Sequence, residues 1–91
     1  MYNNSFMNEL ELLKNKIKYR ASYRGTKEMD LLLNSFALKY IDDLSHDDLK
    51  KLDDFMNCSD EDISNFYLNK TLIKNYHDKK ILDLFIRHKI K

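Results

Sequence analysis

An all-α fold, a compact bundle of about five short helices in a single domain over residues 1–91, follows from three features of this sequence. There is no proline, there is one glycine, and 43% of the residues are hydrophobic. The apolar residues recur at spacings of three and four, the period of a helix face, and no stretch alternates as a strand would. A chain of 91 residues is long enough to bury one core. Residues 1–5 are expected to be a loose N-terminus.

The first helix is expected over about 6–23, where Phe6, Leu10, Leu13, Ile17 and Ala21 share a face while Glu9, Lys14, Lys16 and Lys18 lie elsewhere. Gly25 is expected to stop it, because glycine accepts the left-handed backbone that ends helices. A second helix over about 27–41 carries Met29, Leu32, Leu33, Phe36 and Tyr40 on one stripe, with Leu31 and Leu38 displaced from it. Its wide apolar arc gives it a central place. The third helix has a readable start: Ser45 as N-cap, Asp48 three residues later, and Leu44 and Leu49 as a staple across the cap. Leu49, Leu52, Phe55 and Met56 then face inward. The same device at Ser59, with Asp62 and the pair Cys58 and Ile63, opens a short fourth helix through Phe66, Tyr67 and Leu68. The last helix is expected to begin near Asn75 to Asp78 and to carry Ile81, Leu82, Leu84, Phe85 and Ile86. It ends on the basic residues Arg87, His88, Lys89 and Lys91, which suit a helix C-terminus.

Sixteen basic residues against fifteen acidic ones leave a net charge of +1, far from the basic balance of nucleic-acid binders. The basic and aromatic run Lys14, Lys16, Lys18, Tyr19, Arg20 and Tyr23 therefore reads as the solvated face of a helix, with single-stranded nucleic-acid contact the lesser reading. The lone Cys58 excludes an internal disulfide framework and reads as a small buried hydrophobe, with Asp60 nearby opposing thiolate formation. His46, His77 and His88 stand far apart, without the spacing of a metal pair. The acidic doublets Asp42-Asp43, Asp47-Asp48 and Asp53-Asp54, and the run Asp60-Glu61-Asp62, mostly fall at helix starts, where carboxylates complement the dipole. With one glycine there is no phosphate-cradling loop. The sequence predicts no enzyme and no metal site. No apolar run approaches the roughly 20 residues of a membrane-spanning helix. The start lacks a signal region and presequence arginines, which predicts a soluble protein of the bacterial cytoplasm.

The most specific stretch is Tyr19-Arg20-Ala21-Ser22-Tyr23-Arg24-Gly25-Thr26-Lys27-Glu28-Met29-Asp30-Leu31-Leu32-Leu33. Arg24 and Glu28 are expected to point outward from a helix–helix corner, with Arg20 and Asp30 crowded beside them. Surface ion pairs contribute only about 0–1 kcal/mol to stability, so such a cluster points toward recognition of a charged partner. A plain helix C-cap, with the arginine complementing the dipole, accounts for the same residues and stays open.

This stretch resembles the signature of the succinate dehydrogenase FAD assembly factors, the SdhE (formerly YgfY) and Sdh5 family. Its arginine-glycine pair, glutamate, apolar residue and aspartate stand here as Arg24, Gly25, Glu28, Met29 and Asp30. The likeness extends over about residues 10–88, through Leu44-Ser45 and Cys58-Ser59-Asp60-Glu61-Asp62-Ile63. Phe66 stands where many members have tryptophan, and the link at 69–75 lacks the usual glycine and proline. The resemblance implies a five-helix, chaperone-like helper. It would bind the flavoprotein subunit of succinate dehydrogenase, and sometimes that of fumarate reductase, and promote covalent attachment of FAD to a histidine there. The FAD would be carried by the partner, with no cofactor held tightly by this chain. Partner binding is expected at Arg20, Tyr23, Arg24, Gly25, Thr26, Lys27, Glu28 and Asp30. An antitoxin-like role or a generic helical interaction module remains the alternative.

Overall fold

The computed structural model describes residues 8–88. Its five helices are α1 Glu9–Ala21, α2 Lys27–Tyr40, α3 His46–Met56, α4 Asp60–Asn69 and α5 Lys79–Arg87. Among the described residues there is no strand. Every helix opens in the same way, with a polar side chain accepting from an amide three residues on. Asn8 takes the Glu11 amide at 2.9 Å, Thr26 that of Met29 at 3.1 Å, and Ser45 that of Asp48 at 3.2 Å. Ser59 takes the Asp62 amide at 3.1 Å and Asp78 that of Ile81 at 2.9 Å.

The core is built on three fully buried rings, Phe36 of α2, Phe55 of α3 and Phe85 of α5. Their centroids lie 5.0–6.0 Å apart, in tilted and edge-on arrangements that favour the ring quadrupoles. Ile17 and Ala21 of α1, Leu49 and Leu52 of α3, and Ile63 of α4 close around them. The inward stripes of α2 and α3 match their sequence periodicity, and the displaced Leu31 and Leu38 are exposed. Leu10 is exposed although it shares the face of Ile17, because the core contact of α1 begins at the partly buried Leu13 and is complete only at Ile17 and Ala21.

Helix α1 does not run to residue 23, and Gly25 does not stop it. The helix ends at Ala21, where Ser22 donates its hydroxyl back to the Lys18 carbonyl at 3.0 Å. The Asn34 amide of α2 caps the Ala21 carbonyl at 3.1 Å. The left-handed residue is Tyr23, at φ 58°, and Gly25 has no positive φ. Phe6, and the expected loose segment 1–5, lie outside the described residues.

Helix α4 ends on the left-handed Lys70, at φ 59°. The link that follows is tied down by buried Ile73 and by Tyr76, whose hydroxyl donates to the Lys51 carbonyl of α3 at 2.6 Å. His88 is not part of an exposed basic end. It is 3% exposed against Phe36, its Nε2 is 2.7 Å from the Ser35 hydroxyl, and Tyr67 donates to its carbonyl at 3.3 Å. Burial, and then the Lys39 charge, push the imidazole pKa down. Lys89 and Lys91 lie outside the described residues. Two acidic doublets also depart from helix starts. Asp42 follows α2 and pairs with Lys14 at 3.0 Å, while Asp53 is buried in the middle of α3.

Candidate functional site

Residues 22–26 join α1 to α2, and the acidic first turn of α4 lies against them. Tyr23 turns the chain so that the Arg24 amide donates to the Asp30 carboxylate one turn into α2. The Arg24 side chain then runs inward, 10% exposed. Its Nε donates to Asp60 Oδ1 at 2.7 Å. One terminal nitrogen donates to the Arg20 carbonyl at 2.8 Å and to the Met56 carbonyl at 2.7 Å, and the other to the Cys58 carbonyl at 2.8 Å. The last turns of α1 and α3 leave carbonyls without helical partners, and one guanidinium fork serves both ends while pairing with the first residue of α4.

Gly25 completes the clamp. Its amide donates to Asp60 Oδ2 at 2.6 Å, so the carboxylate receives Arg24 on one oxygen and Gly25 on the other. A Cβ on Gly25 would stand 3.0 Å from that same oxygen, which belongs to a carboxylate held at both of its oxygens and so would have to shift. Close approach, not left-handed backbone, is what requires glycine here. Burial disfavours the charged Asp60, yet the Gly25 amide and the Arg24 guanidinium outweigh it and hold the carboxyl below the usual carboxylate range. Cys58 is half-buried rather than buried. Its thiol pKa is pushed up by burial and by the Asp62 and Asp54 carboxylates, against a smaller opposing effect of Arg24.

The expected outward-pointing arginine is thus an internal brace, because four acceptors lie within its reach on the inside of the corner. Arg20 also turns inward. It meets Asp53 Oδ1 at 3.2 Å while Lys16 meets Oδ2 at 3.3 Å, so the 6%-exposed Asp53 carries two cations. With Lys14 on Asp42, much of the basic run of α1 is engaged within the chain. Asp30 is half-buried under the Arg24 amide. Tyr23, Gly25, Thr26, Lys27 and Glu28 are exposed. The Tyr23 ring, 83% exposed, lies 5.7 Å from that of Tyr19.

Three residues that make the site were not picked out by sequence reasoning. The sequence expects Asp60 to complement a helix dipole and to oppose ionisation of Cys58, expects the Asp53-Asp54 doublet near a helix start, and does not single out Asn34. The bonds Asn34–Ala21, Asp53–Arg20 and Asp60–Arg24 span 13, 33 and 36 residues, beyond any local spacing rule.

The fold and the corner define a small all-helical domain that ties one short exposed loop to four helices at once. The chain belongs to the Sdh5 family of assembly factors: residues 15–89 match the family model described as flavinator of succinate dehydrogenase. It is similar to a protein named succinate dehydrogenase assembly factor 2, mitochondrial, from Dictyostelium discoideum, at 33% identity over 93% of this chain and 60% of that one. Proteins of the same name from Lodderomyces elongisporus and Komagataella phaffii are 32% and 35% identical, each over 82% of this chain and over 48% and 42% of their own lengths. The chain spans about half the length of these curated relatives. No solved structure matches it. The expectation of a bacterial cytoplasmic protein is overturned here, since these relatives are named mitochondrial and come from eukaryotes.

Proposed function

We propose that this chain is a chaperone-like assembly factor that binds the flavoprotein subunit of succinate dehydrogenase and promotes covalent attachment of FAD to a histidine of that subunit. Family membership supports the reading, and one observation gives it a mechanism: the signature residues divide into a buried brace and an exposed face. Arg24, Arg20 and Asp30 lock the corner, while Tyr23, Gly25, Thr26, Lys27 and Glu28 are left on its outside. A rigid contact loop loses little conformational freedom on binding, so more of its interaction energy appears as affinity. The bond-forming groups belong to the partner, and this chain acts by holding the partner's flavin region and histidine in a reactive arrangement. Positioning of that kind can lower a barrier by several kcal/mol.

The test is co-expression of the chain with the flavoprotein subunit, with covalent flavin read by in-gel fluorescence. Glu28 is exposed and, among the described residues, has no ion-pair partner. Glu28→Ala is therefore expected to lower covalent flavin severalfold while the chain stays folded, its thermal midpoint falling by no more than the loss of one first-turn carboxylate brings. Flavin attachment that proceeds equally with the variant, or without the chain at all, would overturn the proposal.

A further inference from the structure

Beside the clamped corner, the first turns of α2 and the outer face of α4 enclose an open groove of about 300 Å3. Met29 and Leu32 form its floor, Tyr67 and Leu68 its far wall, and Glu28 and Ser64 its lip. Leu68 is 70% exposed, a large apolar side chain left in water at the edge of an apolar slot. The volume stands at the lower end of small-molecule sites, roughly 300–1,000 Å3, which suits one or two side chains and is small for a dinucleotide.

Two carboxylates stand near the slot, one on each helix. Glu61 precedes Ser64 by three residues and Leu68 by seven, so all three share one face of α4. Glu28 stands on the opposite lip, and among the described residues neither glutamate has an ion-pair partner. Helix α4 itself carries no lysine or arginine; Lys70, just after it, donates to the Tyr67 carbonyl at 3.4 Å, and Lys27 lies next to Glu28 in the chain. An apolar slot with an unpaired carboxylate on its rim and a second on the same face of α4 is complementary to an apolar side chain flanked by lysine or arginine.

Resting on the assembly-factor reading, we propose that this groove receives a basic-apolar segment of the flavoprotein subunit. An apolar side chain of that segment packs against Leu68 and Leu32, and its flanking cations meet Glu28 and Glu61. The contact surface then continues from the corner along α2 onto α4, which makes Glu28 the hinge between the two halves of the interface.

The experiment is calorimetric titration of the full chain with the purified flavoprotein subunit, at low and at moderate salt. Leu68→Glu places a charge on the wall of the groove at an exposed position, and Leu72→Glu, 77% exposed in a different depression with Phe66 and Leu82, is its control. Leu68→Glu is expected to weaken binding roughly tenfold or more, as for a central apolar contact, and Leu72→Glu to bind like the wild type. Glu61→Lys, at an exposed helix position, should also weaken binding and reduce its salt dependence. Wild-type binding that survives Leu68→Glu and Glu61→Lys overturns the groove and leaves the assembly-factor reading standing. No binding by the wild type overturns both.

Discussion

The chain leaves α1 at Tyr23 and α4 at Lys70 with almost the same backbone, φ 58° and φ 59°, and in neither place with glycine. Left-handed backbone costs an ordinary residue roughly 1–2 kcal/mol. At Lys70 the ending is local: its amide donates to the Phe66 carbonyl at 3.0 Å and the Thr71 amide to the Asn65 carbonyl at 3.3 Å, both within the helix being closed. At Tyr23 the following amides are taken by Asp30 of α2 and Asp60 of α4, and the Arg24 fork reaches α1, α3 and α4 together. The first arrangement closes a helix. The second fixes the path of a loop, and strain that is held by many surrounding contacts concentrates where a protein does its work.

Removing the brace is the strongest way to break this comparison. Arg24→Ala deletes four hydrogen bonds and leaves the Asp60 carboxylate without its cation and three carbonyls without their donor. Loss of one member of a largely buried pair costs about 3–5 kcal/mol, a large share of the stability of a chain this size. Arg24→Lys keeps the charge without the fork and should fall between Arg24→Ala and the wild type. Lys70→Ala, which removes an exposed side chain, should change stability by less than about 0.5 kcal/mol. Urea denaturation measures all three, and comparable losses at Arg24 and Lys70 would erase the distinction between the two endings.

Acid should separate the two regions in sequence. His88, buried between α2 and α4, has a folded pKa below its ordinary value, so the folded state resists protonation there. Its contribution is complete above about pH 6.5, the unfolded value, and is lost as pH falls from there toward the lowered folded pKa. Asp60 also has a lowered pKa, and its contribution is present above about pH 3.9 and disappears only as pH falls through its still lower folded value. Thermal midpoints should therefore decline in two stages, with the upper stage absent in His88→Gln. A midpoint that is flat from pH 7 to pH 5 in the wild type would contradict the burial of a neutral His88.

The features that were legible in the sequence are those decided within one helical turn or two. The Ser45 and Ser59 caps, the inward stripes of α2 and α3, and the displaced Leu31 and Leu38 all depend on neighbours three to seven residues away, where spacing carries the information. The corner was found by its residue types, but its inner workings were not. Local spacing predicts an outward-facing Arg24, because the carbonyls that draw it inward belong to Met56 and Cys58, more than thirty residues on. The left-handed role expected of Gly25 falls to Tyr23, and the surface that the missing side chain admits is Asp60 of this same chain, which nothing local indicates. His88 read as one cation of a basic tail, and its burial depends on Ser35 and Phe36 on another helix.

The smallest expected effect is also the most discriminating. Glycine relieves a left-handed position but gives back about 0.5–1 kcal/mol through the greater freedom of the unfolded chain. Lys70→Gly should therefore stabilise the protein by up to about 1 kcal/mol, since nothing else of weight is lost there. Tyr23→Gly makes the same backbone gain and forfeits the Tyr19–Tyr23 ring contact, an interaction of about 0.5–1.5 kcal/mol when such rings are buried and less at this exposure. Its stability should stay close to that of the wild type. Its binding to the flavoprotein subunit should not, because the deleted ring is among the most exposed aromatic surface the corner presents. Thermal melts paired with the binding titration read both quantities on the same two variants. If Tyr23→Gly stabilises as much as Lys70→Gly and binds undiminished, Tyr23 is a helix ending of the same kind as Lys70, and the contact face of the corner begins at Gly25.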